Sequence, residues 1–130
     1  MIRQEFSVEG YWKVIVYYNL DYGLFSVVSR TLLEAGADED VIHDIYQHMS
    51  SYKAKAVTYS NYSKHLSVVL FNRHKTMADF INSIVHEAEH IKQAILTVYG
   101  VDDIGEPPAY TIGFLVMKMY YIFRRLIKSR

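Results

Sequence analysis

Cysteine is missing from this 130-residue chain. That absence removes disulfides and every thiolate metal site, and leaves histidine and carboxylate as the only protein-built ligands for a transition metal. Net charge is missing too: Lys and Arg together number 14, as do Asp and Glu. No global field therefore draws the chain towards nucleic acid or an acidic surface, and no nucleic-acid partner is expected. Long apolar runs are absent. The longest, Ile112 to Phe123, is broken by Lys118 and is too short to span a bilayer, so no membrane partner is expected. Met1-Ile2-Arg3-Gln4-Glu5 is charged and has no apolar core behind it, which is not the pattern of a secretory signal; a cytoplasmic location is the expectation. Linkers, repeats and low-complexity segments are also lacking.

Hydrophobic residues make up 51% of the chain, enough for one core and one domain, residues 1–130. Tyr11 to Leu20 is β-branched and aromatic and predicts a strand. Asp21 can cap a helix to about Ala35, stopped by Gly36, and Asp38 or Asp40 opens a second through about Met49. Two short strands, about 54–60 and 64–71, read as a hairpin around Asn61. A long helix from Thr76 to Tyr99 follows, with Thr76 and Asp79 as a capping box and Gly100 as its stop. Glu106-Pro107-Pro108 opens the last helix, to about Ile127, because proline is tolerated in a first turn. The fold class expected is α+β, four helices with a small antiparallel sheet of about three strands.

The long helix carries His86-Glu87-Ala88-Glu89-His90. Residues four apart share a helix face, so His86 and His90 can offer two imidazoles to one zinc ion, with Glu87 beside them as a base for water. A helical wheel puts Met77, Phe80, Ile81, Ile84, Val85, Ala88, Ile91, Ile95 and Val98 on a face to be buried. Asn82, His86, His90, Gln93 and Thr97 form a polar stripe, and Glu87 lies at the boundary. The stripe is either a solvated surface or the wall of a cleft. Downstream of His90 the candidates for a third ligand are Asp102, Asp103 and Glu106, since no histidine follows. Glu106, on a helix that folds back, is preferred and Asp103 is second. The five residues also fit the inverted HxxEH pattern with Glu89 as base. Glu87 is favoured because it borders the apolar face, where low dielectric raises a carboxyl pKa.

In these residues the chain resembles the zincin metallopeptidases, in particular small members with a glutamate as third ligand. The resemblance implies a zinc-dependent, peptidase-like hydrolase in which activated water attacks an amide carbonyl. His86, His90 and Glu106 would hold zinc, Glu87 would act as base, and Leu66 to Leu70 would be the edge strand that pairs with an extended peptide or protein substrate. Tyr110, one turn beyond Glu106, would then support the developing oxyanion or the ligand; its plainer reading is packing. The chain also resembles small proteins of gut Bacteroidales and their phages, through Tyr59-Ser60-Asn61-Tyr62, Val68-Val69, Gly100-Val101-Asp102 and Glu106 to Gly113. That likeness implies the alternative, a non-catalytic, phage-related interaction module on a zincin-like fold.

The other histidines, His43, His48, His65 and His74, lack ligand spacing and read as surface or packing residues. The basic end, Arg124 to Arg130, complements a helix dipole. The apolar residues from Phe114 to Phe123 wrap most of the last helix, which is expected to pack on the motif helix, with a homodimer interface as the other use.

Overall fold

The structure, a computed structural model, describes residues 1–128, without the side chains of Phe123, Arg124, Ile127 and Lys128. The basic end thus lies largely outside the described residues. In chain order the elements are β1 (Ile2–Val8), β2 (Trp12–Tyr18), a 3₁₀ turn (Tyr22–Leu24), α1 (Phe25–Glu34), α2 (Glu39–Ser50), β3 (Ala56–Asn61), β4 (Leu66–Phe71), α3 (Met77–Tyr99) and α4 (Glu106–Lys128).

The α+β class and the four helices hold, but the sheet is four-stranded and mixed. Its order is β1-β2-β4-β3, with β2 and β4 parallel and both outer pairs antiparallel. The added strand is β1. Ile2, Phe6 and Val8 face inward while Arg3, Glu5 and Ser7 alternate outward, a period-2 signal hidden by the segment's charge. Arg3 and Lys13 both pair with Glu5 on the outer side.

The two inner strands are buried on both faces, because helices cover the sheet from either side. Val14, Val16, Tyr18, Val69 and Phe71 point into a core with α3 and α4. Ile15, Tyr17, Val68 and Leu70 point into a second core with α1 and α2. Leu66 to Leu70 is therefore not an edge strand as expected: β4 is inner, and the free edge belongs to β3.

Two of the expected helix caps form, while Asp21 caps the 3₁₀ turn instead, accepting from the Gly23 amide, and α1 starts at Phe25 without a side-chain cap. Asp38 accepts from the Val41 amide and Thr76 from the Asp79 amide. Gly100 closes α3 at φ 63°, with the Val101 amide donating to the Leu96 carbonyl. The β3–β4 turn lacks Asn-Gly and is held instead by Asn61, whose Oδ1 accepts from the Lys64 amide and the Ser63 hydroxyl. The buried face of α3 is displaced round the helix from the one the wheel implies. Met77, Ile81 and Val85 are exposed, while Ser83, Glu87 and Lys92 are buried. On α4, Leu115, Met119, Ile122 and Leu126 are buried, and Met117 and Tyr121 face outward. No helix among the described residues is long and apolar enough to cross a membrane.

Candidate functional site

Between β3 and α3 lies an open cleft of about 370 Å³, lined by Thr58, Ser60, Tyr62, His86, Glu87, His90 and Gln93 among others. Its upper wall follows from strand alternation. Ala56, Thr58 and Ser60 turn their side chains towards α3, while Val57 and Tyr59 pack into the α1–α2 core. All three are small, which leaves the space between helix and strand unfilled. Its lower wall is the polar stripe of α3.

Among the described residues, β3 has no strand partner on the side away from β4, so the backbone of these same residues is free of the sheet. The Lys55 carbonyl accepts from the Asn72 amide, and Val57, Tyr59 and Asn61 continue that phase opposite β4. An antiparallel ladder alternates, so Ala56, Thr58 and Ser60 direct their N–H and C=O groups to the open edge. The cleft thus has a row of backbone donors and acceptors along one rim.

On its floor the exposed His86 and His90 share a hydrogen bond between their Nε2 atoms at 3.2 Å. With ordinary zinc–nitrogen bonds and tetrahedral angles, the ring nitrogens of two imidazoles on one ion stand about 3.3 Å apart, a separation close to that of this hydrogen-bonded pair. Glu87, only 3% exposed, lies beside them and accepts a hydrogen bond from Thr58 Oγ1 at 3.0 Å. Burial pushes its pKa up; the Thr58 hydrogen bond and then the two histidines oppose that rise. A carboxyl held above its ordinary range beside a histidine pair has the character of a general base.

The other sequence candidates lie elsewhere. Glu106 is exposed at the start of α4, and Asp103 binds Lys92 Nζ at 2.9 Å. Lys92 is two residues from His90, about 200° round the helix, so Asp103 is held on the far side of α3 from the histidines. α4 covers β1 while α3 covers β3, so the last helix approaches α3 from that far side as well. Among the described residues no three of His, Cys, Asp and Glu are grouped to hold a metal ion. The chain brings two donors together and does not bring Glu106 to them. Glu89 leaves the cleft to pair with Lys92 at 2.8 Å, and Tyr110 is 61% exposed on α4 and does not line the cleft.

Sequence reasoning did not find Thr58, Ser60 and Tyr62 as cleft residues. The signal available was the alternation of small polar residues along β3, but which face of that strand meets α3 is a tertiary fact. No protein family, curated protein or solved structure was found to match the chain.

Proposed function

We propose that the chain is a zinc-dependent hydrolase of peptide or amide bonds, zincin-like in its working parts. The observation that carries this reading is one juxtaposition: the His86–His90 pair and buried Glu87 face the unpaired edge of β3 across a single cleft. An extended peptide can add to β3 as a further strand through Ala56, Thr58 and Ser60, which sets its amide bonds over the cleft floor. His86 and His90 would hold the ion, leaving its other positions to solvent, substrate or another donor. A divalent ion bound there supplies a polarised carbonyl and a more acidic water. Glu87 takes the proton from the attacking water and returns it to the leaving amine, and Thr58 holds the carboxylate in place for both transfers. The buried flank of Glu87 excludes bulk water, which keeps its proton affinity high.

The metal is tested first. Tag-free protein equilibrated with zinc and then desalted should retain about one equivalent, and His86→Ala with His90→Ala should retain none. Glu87→Gln should keep the metal and lose hydrolysis of a mixed peptide library. Less than a tenth of an equivalent in the native chain, or full turnover by Glu87→Gln, overturns the reading.

A second reading, a non-catalytic interaction module, is favoured by the lack of a third protein ligand among the described residues. It predicts peptide binding on β3 with no turnover at any metal concentration.

A further inference from the structure

A second cavity, about 290 Å³, lies beyond the Ala56 end of the cleft. It is lined by Tyr52, Lys55, Asn72, Arg73, His74, Lys75 and Asp79. Its inner wall is tied by hydrogen bonds. Buried Asn72 donates from Nδ2 to the Met49 carbonyl at 2.9 Å and the Ala54 carbonyl at 3.0 Å, and Tyr22 donates to its Oδ1. His74, also buried, bridges the Asn72 carbonyl and the Ser83 hydroxyl. Past the end of β4, Asn72 turns to the α2 side and His74 to α3, while Arg73 and Lys75 between and beyond them are exposed.

The charge there is one-sided. Three cations meet one carboxylate, Asp79, which is engaged by Lys55 at 3.5 Å. Among the described residues neither Arg73 nor Lys75 has a carboxylate partner within 4.0 Å. A chain of zero net charge thus concentrates free positive charge at one end of its open strand edge.

We propose that this cluster selects extended peptides that are acidic on the C-terminal side of the segment seated over Glu87. The inference rests on the reading of β3 as a peptide-docking edge, and adds direction and sequence preference to it. A peptide antiparallel to β3 enters near Asn61 and leaves near Ala56, so its C-terminal part runs to Lys55, Arg73 and Lys75. Electrostatics favours the same direction, because a chain bound the other way would bring its N-terminal ammonium to the cations. From Thr58, opposite Glu87, to Lys55 is three residues, about 10 Å along a strand. The cations therefore read side chains about three positions beyond the one over the cleft floor.

The test uses metal-depleted wild-type protein, so that nothing is hydrolysed, and two dye-labelled decapeptides with blocked ends and one composition. One carries three glutamates at its C-terminal end and the other carries them at its N-terminal end. By fluorescence anisotropy the C-terminal isomer should bind about tenfold more tightly, the combined effect of two or three exposed ion pairs. The preference should shrink with added salt and vanish in Arg73→Ala with Lys75→Ala and in the double Glu variant, both of which alter exposed side chains and should keep the native circular dichroism spectrum. Equal binding of the two isomers overturns this inference and leaves peptide docking standing. Tighter binding of the N-terminal isomer overturns it by reversing the direction. No binding of either isomer overturns the docking reading along with it.

Discussion

Thr58 and Glu87 show what one hydroxyl does for a buried carboxylate. Glu87 is drawn below the surface by its place between the cleft and the apolar face of α3, and the hydrogen bond from Thr58 offsets part of the cost of burial. Thr58→Val keeps the shape and removes the donor. It should lower stability by about 1–3 kcal/mol in urea unfolding, whereas Thr58→Ser should lose much less. Equal losses for Val and Ser would show that the methyl group, not the hydrogen bond, carries the effect. At this scale the sequence is informative in part. It identifies His86, Glu87 and His90 by spacing, because helix periodicity relates residues four apart without reference to the rest of the molecule. It says nothing of Thr58, whose partner is 29 residues away.

Between elements, the link from α1 to α2 is governed by a single glycine. Gly36 has φ +101°, and a Cβ built there would run into the Asn61 side chain, whose Nδ2 donates to the Ala35 carbonyl at 3.0 Å. The turn that stops α1 and the corner that starts the β3–β4 turn therefore occupy one space. Gly36→Ala should destabilise the fold by about 1–3 kcal/mol by chemical denaturation, through φ strain and displacement of Asn61. A loss below about 0.5 kcal/mol would mean that the corner relaxes freely. Caps and stops were legible here because they are local: Asp38, Thr76 and Gly100 act on amides and carbonyls within a few residues. The role of β4 was not. A run of Val and Leu reads as a strand in either position, and only the pairing of β2 with β4 makes it inner and leaves β3 at the edge.

For the whole molecule, His74 joins the end of β4 to α3 and makes global stability depend on pH. Its Nδ1–H donates to a carbonyl, so the neutral ring accepts the Ser83 proton at Nε2. Burial holds its pKa below the ordinary histidine value; the Asn72 hydrogen bond opposes that shift and nearby Lys55 adds to it. With the folded pKa depressed, the unfolded chain binds more protons in acid. The stability His74 contributes is therefore complete above the ordinary value of about 6.5 and is lost as pH falls through the folded pKa. The melting temperature should fall between pH 7 and pH 5, and His74→Gln should remove part of that fall. An identical pH profile in the variant would refute the assignment to His74.

Sequence alone determined the four helices, three of the four strands, the caps of α2 and α3 and the histidine pair, because each depends on periodicity or on hydrogen bonds that close within a turn or two. Tertiary structure decided the order of the strands, the face of α3 that meets β3, and the separation of Glu106 from the histidines. These depend on which side of α3 each neighbour packs. Lys92 decides that locally by drawing Asp103 to the flank opposite His90, and a search along the chain for a nearby acidic residue has no means of knowing the flank.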